Sequence, residues 1–291
     1  MRRARWGDPH HLAHRARRLF GAPNPLGWLR TRGVRIEPVG DGAVRGEWLS
    51  AKRTDQGVIL YLHGGGYVAG SPATHRPITA ALARLAARRV FALEYRLAPE
   101  HRFPAAVDDA LAGYRWLLQQ GVAPESLALA GDSAGGGLVL AALARARDEG
   151  LPRPACAICF SPWTDLAATG GSLLTNNGRC AMFRPENVED FARVYLGDAS
   201  PRHPYASPVF ADLSGLPPLL VQVGADEILL DDARRIHDGI RAAGGVSTLQ
   251  IFGGVFHVWH MLEGFIPEAR QALEDAARYM NLPPRVAPGG R

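Results

Sequence analysis

Residues 131–135 read Gly-Asp-Ser-Ala-Gly and place one serine between two glycines. They follow the apolar run 127–130 and open the Ala- and Leu-rich stretch 134–147, which predicts a turn from a strand into a helix. The flanking glycines let the chain turn so sharply that the Ser133 side chain stands clear of its neighbours. The first N–H groups of the helix could stabilise an anion there. The pattern predicts a nucleophilic serine, and a plain tight turn is the alternative that it leaves open by itself.

A serine nucleophile needs donors for the developing oxyanion, a base and an acid that orients the base. Residues 63–67 read His-Gly-Gly-Gly-Tyr and follow the apolar run 58–62. Consecutive glycines let the backbone expose its N–H groups toward a substrate, an arrangement typical of lipases and esterases. A flexible turn would not require four such residues directly after a buried strand. The loop is therefore predicted to supply the donors.

The base is sought after the last predicted strand, where His257 and His260 are the two histidines. His257 follows Gly253 and Gly254 in a predicted loop and is preferred. His260 is the second candidate for the base, or else part of a pocket wall.

The acid should follow a later strand, and Asp226 lies two residues beyond Gly224. Asp231, Asp232 and Asp238 fall within the next helical pattern, where a solvated role is favoured. The resulting chain order of Ser133, Asp226 and His257 is the order of α/β-hydrolases, and it differs from the orders of chymotrypsin and subtilisin.

The elements that would position these residues alternate along the chain. Residues 34–48 predict an antiparallel hairpin around Asp41 and Gly42. Beyond it, apolar runs at 58–62, 90–95, 127–130, 156–160, 219–223 and 249–252 alternate with helical patterns at 74–88, 104–120, 133–148, 230–243 and 267–280. Continuous apolar strands separated by helices predict an α/β fold, a mostly parallel sheet with helices on both faces. Ligands bind such sheets at the carboxyl ends of the strands.

One polar stretch breaks this alternation and holds a single predicted helix, 185–196. Because it leaves the sheet at the ligand-binding edge, we interpret it as a cap. The predicted organisation has four parts. Residues 1–40 form an N-terminal cap segment, 41–166 the first part of the core, 167–206 a cap insertion and 207–291 the second part of the core. A Pro-, Gly- and Arg-rich tail from Pro283 is expected to fray.

The net charge of +5 is concentrated at the N-terminus. Residues 1–36 hold nine arginines and the single acid Asp8, a net charge of +8. Within this segment we predict an amphipathic helix capped by Asp8 and ended by Gly21, with Leu12, Ala16, Leu19 and Phe20 on one face. A solvated basic face is favoured over contact with phosphates or a membrane, and no nucleic-acid motif accompanies it.

Three cysteines are too few for a disulfide framework and are typical of a reducing compartment. Cys156 and Cys159 form a C-x-x-C pattern within a predicted strand, where residues three apart point to opposite faces, so buried inert thiols are expected rather than a metal site or a disulfide. No apolar run approaches the roughly 18 to 20 residues of a membrane span, and no apolar signal region follows the charged N-terminus. We expect a soluble, unexported, cytoplasmic protein.

Five motifs together resemble those of the bacterial hormone-sensitive-lipase family of esterases. They are His-Gly-Gly-Gly-Tyr at 63–67, Tyr-Arg-Leu-Ala-Pro-Glu at 95–100, Gly-Asp-Ser-Ala-Gly-Gly at 131–136, Ser-Pro-Trp-Thr-Asp at 161–165 and Asp-Glu-Ile-Leu-Leu-Asp at 226–231. The resemblance implies an α/β-hydrolase core, a cap from the N-terminus plus an insertion after the sixth core strand, and hydrolysis of short- to medium-chain carboxylic esters without cofactor or metal. It also implies oxyanion donors on the N–H groups of Gly65, Gly66 and Ala134. Homodimers are common in such families.

The chain departs from the common family pattern at two places. Many members have Asp-Pro-Leu at the acid and His-Gly-Phe at the base, where this chain has Asp-Glu-Ile at 226–228 and His-Val-Trp at 257–259. Both alternatives occur in a subgroup that resembles small acyl hydrolases and lactone hydrolases. Hydrolysis of a lactone or deacetylation of a small metabolite is therefore the alternative function.

Other classes of function fit the sequence less well. An epoxide hydrolase would need an aspartate where Ser133 stands, and the glycine loop and cap argue against a peptidase. A non-catalytic small-ligand receptor, a role that some relatives have taken by losing the catalytic histidine, is the most distant alternative because His257 is present.

Candidate pocket residues are apolar and lie in or beside the motif loops and the cap insertion, and core packing is the alternative for each of them. They are Tyr67, Trp163, Met182, Phe183, Leu229, Phe256, Val258 and Trp259. Arg96 and Glu100 are interpreted as a structural ion pair that fixes a loop.

Overall fold

The computed structural model of the chain describes residues 9–21, 30–42 and 44–282. Within these ranges one sheet is formed by eight strands, β1 (Arg35–Asp41), β2 (Val44–Ser50), β3 (Val58–Leu62), β4 (Arg89–Leu93), β5 (Leu127–Asp132), β6 (Cys156–Phe160), β7 (Leu219–Gly224) and β8 (Ser247–Phe252). Their order in the sheet is β1-β2-β4-β3-β5-β6-β7-β8. Strand β2 runs antiparallel to both of its neighbours, and the other pairs are parallel.

The helices of the described residues are α1 (Pro9–Phe20), α2 (Arg76–Leu85), α3 (Ala105–Gln119), α4 (Ala134–Asp148), α5 (Ser172–Thr175), α6 (Pro185–Leu196), α7 (Leu230–Ala242) and α8 (Pro267–Met280). Short 3₁₀ turns lie at Ala73–His75, Pro124–Ser126, Pro208–Phe210 and Trp259–Leu262. The predicted hairpin and the predicted alternation of strands and helices are confirmed.

The central strands are buried on both sides. Every residue of β3, β5, β6 and β7 is buried, because α2 and α8 pack on one face of the sheet and α3, α4 and α7 pack on the other. A parallel sheet must be covered in this way for its apolar side chains to leave water. The prediction of a mostly parallel α/β sheet with helices on both faces is therefore confirmed.

Strand β6 tests the interpretation of the C-x-x-C pattern. Cys156 packs in the core on one face of the sheet and Cys159 in the core on the other, and both thiols are free. Burial raises the pKa of Cys156 to about 11. The expectation that both thiols are buried and point to opposite faces of the sheet is confirmed.

The N-terminal boundary of the core differs from the prediction. Strand β1 pairs with β2 from Arg35 to Asp41, so the boundary drawn at residue 40 falls inside a strand of the sheet. Pairing with β2 along the whole hairpin carries the sheet back to Arg35. The predicted cap residue Asp8 and the tail from Pro283 lie outside the described residues.

Helix α1 is amphipathic as predicted, with Leu12, Ala13 and Ala16 buried. The N–H of Gly21 donates to the Arg17 carbonyl at 2.9 Å where the helix ends. Leu19 differs from the expectation, because 74% of it is exposed. In the described part of the chain, no helix combines the length and the apolar character that crossing a membrane requires.

Candidate active site

Ser133 lies at the turn between β5 and α4, with φ 52° and ψ −122°. Positive φ is an uncommon, strained conformation for a residue with a Cβ atom. The glycines beside it have no room for a side chain: a Cβ on Gly135 would lie 2.0 Å from the Leu62 carbonyl oxygen, and one on Gly131 would lie 2.5 Å from the Gly135 carbonyl oxygen. The glycines therefore allow the tight packing that holds the serine in its strained turn.

His257 lies against this serine, in the loop after β8. The Ser133 hydroxyl donates to His257 Nε2 at 2.9 Å, and Nδ1 of the same ring lies 2.6 Å from Glu227 Oε2. The His257 side chain is 4% exposed and that of Glu227 is 1% exposed. A serine, an imidazole and a carboxylate thus form one continuous, nearly dry hydrogen-bonded chain.

The prediction of Asp226 as the acid partner of this histidine is wrong. Asp226 turns outward, where its carboxylate pairs with Arg179 at 2.5 Å and is 34% exposed. The loop folds back after β7, with the Glu227 N–H donating to the Gly224 carbonyl at 3.2 Å. This turn directs the Glu227 side chain inward, toward His257. The sequence did contain a signal, since Glu227 is the other carboxyl of the same short loop.

Ser161 completes the surroundings of the carboxylate, and sequence reasoning gave it no role. Its hydroxyl donates to Glu227 Oε1 at 2.6 Å and accepts from the Val258 N–H at 3.2 Å. The Gly224 N–H also donates to Oε1, at 2.7 Å. With Oε1 held by two donors, Oε2 is directed at His257.

The glycine loop after β3 borders the same space. Gly65 and Gly66 line a cavity together with Ser133, and they have φ 120° and 63°. A Cβ on Gly65 would lie 2.3 Å from the Ala69 carbonyl oxygen, so the loop accepts only glycine there. Ala134 is the first residue of α4, where backbone N–H groups have no partner within the helix. Gly65 and Gly66 thus lie at the same cavity as Ser133, and Ala134 follows it directly in the chain. The role of all three as oxyanion donors stays a prediction.

A buried ion pair lies beneath this loop. Asp132 Oδ2 lies 3.3 Å from His75 Nε2, while Oδ1 accepts from the Tyr61 hydroxyl at 2.7 Å and from the Gly64 N–H at 3.1 Å. Burial opposes charge on His75, but attraction to the Asp132 carboxylate outweighs it and raises the pKa of His75. Burial likewise opposes charge on Asp132, yet His75 lowers the pKa of that carboxyl. The hydrogen bond from the Gly64 N–H to Asp132 ties the glycine loop to the end of β5, directly before Ser133.

This pair gives a pH-dependent contribution to stability. Because the pKa of His75 is raised in the fold, its contribution is complete below the unfolded pKa of about 6.5 and is lost as the pH rises through the folded value. Because the pKa of Asp132 is lowered, its contribution is complete above about 3.9 and is lost as the pH falls through its folded value. A His75→Gln variant should be destabilised by about 3 kcal/mol near pH 6, and by less at higher pH.

Urea unfolding of both proteins between pH 5 and 9 measures this difference. A destabilisation that stays constant across that range would contradict the charged pair.

His260 does not serve as a second base. It is fully buried, its Nε2 lies 3.0 Å from Gln222 Oε1, and burial lowers its pKa to about 3. It packs against Phe160 and Trp259 with ring centroids 4.3 and 4.0 Å apart. It is a neutral core residue outside the lining of the cavity, so neither role that the sequence left open applies.

The cavity at Ser133 has a volume of about 280 Å³ and is mostly apolar. Of the candidate pocket residues, six line it, namely Trp163, Met182, Phe183, Leu229, Phe256 and Val258. Two do not, and their prediction as pocket residues is wrong. Tyr67 is buried and stacks on Tyr195 with centroids 3.8 Å apart, and Trp259 is fully buried with its indole N–H donating to the Glu268 carbonyl at 3.3 Å.

Four apolar lining residues were missed. Val188 and Phe191 come from α6, Leu19 comes from α1, and Met261 follows the base. Leu19, which is exposed on its helix, thus lies at the cavity. Their apolar type was visible in the sequence, but their place depends on how the helices pack over the sheet.

The expected ion pair between Arg96 and Glu100 is not formed. Arg96 binds Asp109 on α3 at 2.7 Å, and Glu100 binds Arg17 of α1 at 2.6 Å. The Arg17 guanidinium also donates to the Val68 and Ala98 carbonyls, and it lowers the pKa of Glu100 to about 2. Each residue ties its loop to a helix: Arg96 pairs with α3, the next helix along the chain, and Glu100 pairs with α1, 83 residues earlier.

Comparison with known proteins gives consistent matches along most of the chain. A family model described as alpha/beta hydrolase fold matches residues 59–261. An acetyl-hydrolase of Streptomyces hygroscopicus is 47% identical over 278 residues, which cover 94% of this chain and 89% of that protein.

Solved structures agree with the sequence matches. An esterase from the bacterial hormone-sensitive lipase family matches with a TM-score of 0.85 at 42% identity, covering 94% of this chain and 97% of the other. The esterase EstE5, soaked with p-nitrophenyl butyrate, matches with a TM-score of 0.84 at 43% identity over the same shares.

Proposed function

This chain belongs to the α/β-hydrolase-fold family of bacterial hormone-sensitive-lipase-type esterases, and from that premise we propose that it hydrolyses small carboxylic esters through Ser133, His257 and Glu227. One observation carries the proposal. The hydrogen-bonded chain from the Ser133 hydroxyl through His257 to Glu227 opens into an apolar cavity bordered by Gly65 and Gly66. A nucleophile, a base and an orienting carboxylate at these distances are the requirements for acyl transfer.

In the first half-reaction, the Ser133 oxygen attacks the ester carbonyl carbon while His257 Nε2 takes the hydroxyl proton. Glu227 accepts a hydrogen bond from the His257 Nδ1–H, and the proton stays on the ring. This bond keeps the tautomer in which Nε2 is unprotonated and free to act as a base. The negative charge on the carbonyl oxygen would be stabilised by the N–H groups of Gly65, Gly66 and Ala134. His257 then gives its proton to the departing alcohol, leaving an acyl-enzyme.

In the second half-reaction, water loses a proton to His257 and attacks the acyl carbon. The acid departs and the proton returns to the Ser133 oxygen, so both steps use the same three side chains.

The cavity favours a short acyl group. Its volume of about 280 Å³ is bordered by apolar side chains from the core and from the two cap segments, and this space suits an acetyl or butyryl chain. The match to an acetyl-hydrolase favours one related possibility, removal of an acetyl group from a small metabolite. The chemistry at Ser133 would be the same for such an acetyl ester or for a lactone.

A series of nitrophenyl esters tests the proposal. Acetate or butyrate should be hydrolysed with a kcat/KM at least about tenfold above that of the dodecanoate, because a dodecanoyl chain extends beyond a cavity of about 280 Å³. A small lactone panel measured alongside would identify the alternative substrate class. Absence of ester hydrolysis together with failure of a serine-directed phosphonate to label Ser133 would contradict the proposal and revive the ligand-receptor alternative.

A further inference from the structure

The short helix α5 and the turn after it lie against the loop that carries Glu227. The Asn176 amide donates from Nδ2 to the Ala225 carbonyl at 3.0 Å and to the Glu227 carbonyl at 2.8 Å. The Ser172 hydroxyl donates to the Ile228 carbonyl at 2.7 Å. Two side chains of the cap insertion thus bind three backbone carbonyls of one loop.

These contacts are buried and reinforced. Ser172 and Asn176 are only 2% and 5% exposed. The Ser172 hydroxyl also accepts from the Asp231 N–H at 3.0 Å, and the Ser172 N–H donates to the Asp231 carboxylate at 2.8 Å. A buried carbonyl has given up its hydrogen bonds to water, so it costs free energy if its donor is removed. These contacts therefore hold the loop in one conformation.

We propose that Asn176 and Ser172 are positioning residues for Glu227, and that the cap insertion sets the place of this carboxylate as well as enclosing the substrate. The inference rests on the proposed function of Glu227. The carboxylate oxygens are held by Ser161, Gly224 and His257, whereas the backbone behind them is held from the cap.

The same insertion contacts the base. Phe183 meets the His257 ring edge-on, with centroids 5.1 Å apart and an interplanar angle of 82°. Phe183 and Met182 line the cavity, a few residues after Asn176. One continuous segment therefore contacts the acid loop, the base and the substrate space.

An Asn176→Ala variant should lower kcat by about 10- to 100-fold, since a shift of about 1 Å in a reacting group can cost that much. KM should change by less than about twofold, because Asn176 is outside the lining of the cavity. Asn177→Ala is the matched control, the same change at the next, exposed residue, and it should leave both constants unchanged.

A double-mutant cycle decides whether the effect passes through the carboxylate. Once Glu227→Gln has removed the charge, adding Asn176→Ala should lower the residual kcat by less than about threefold, because residues that act as a unit are not additive. An equal loss in both backgrounds, or a wild-type kcat in Asn176→Ala, would overturn the proposal.

Ser172→Ala in the same cycle repeats the test through a different carbonyl and decides the matter if Asn176→Ala does not fold. Failure of the proposed function is recognised separately, because Glu227→Gln would then itself retain the wild-type rate.

Discussion

Replacing Ser133 with alanine should lower kcat for nitrophenyl butyrate by about a millionfold, the loss seen when comparable triads lose their serine. The Ser133 oxygen is the atom that would bond to the acyl group. The methyl group of alanine has no atom that could replace it as a nucleophile. Water attacking directly would still benefit from the oxyanion donors, so a small residual rate is expected. The measurement is steady-state hydrolysis by highly purified protein.

Ser200→Ala is the control, a serine that is exposed and outside the lining of the cavity. It should hydrolyse the ester at the wild-type rate. If Ser133→Ala kept even a tenth of that rate, acyl transfer through this residue would have to be abandoned.

Glu227→Gln should lower kcat by about 10⁴-fold, the cost of giving the base the wrong tautomer in a comparable triad. Glutamine matches glutamate in shape, so the contacts with Ser161 and Gly224 can persist. Its amide nitrogen, however, can donate to His257 Nδ1, which would leave Nε2 protonated and unable to accept the Ser133 proton. The loss should therefore appear in kcat, with the stability of the protein little altered.

Asp226→Asn is the matched partner of that variant, at the residue next to Glu227. It removes only a partly exposed ion pair with Arg179, and such pairs contribute about 0–1 kcal/mol. Its kcat should stay within about threefold of wild type. Opposite results for the two variants would return the orienting role to Asp226.

The contrast between these neighbours shows where sequence reasoning reached its limit. Strong local patterns located the sheet, Ser133 and His257, because burial and the glycine turns are encoded by residues close in sequence. Which of two adjacent carboxyls faces inward depends on the turn after Gly224 and on Ser161, which is distant in the chain. That information is tertiary, and the family pattern favoured the wrong residue.

In the cap insertion, too, the sequence predicted the helix but not all the residues that line the cavity. Helix 185–196 was predicted with its observed bounds, yet its residues Val188 and Phe191 were not recognised as cavity lining, and Tyr67 was wrongly included. An apolar residue packs wherever its element meets another, and the periodicity of α6 does not indicate which of its apolar residues face the cavity. Arg96 and Glu100 likewise pair with Asp109 of α3 and Arg17 of α1, and the spacing of residues in the sequence did not indicate these pairs.

The three thiols differ in burial, so a thiol reagent should label the enzyme at one cysteine. Cys156 and Cys159 are sealed in the two cores, whereas Cys180 is only partly buried and lies between Asn176 and Met182. A maleimide dye of modest size would therefore attach to the native chain at one place, on the segment that contacts both substrate space and acid loop. Fluorescence from that single label could follow the cap during turnover without any engineered cysteine.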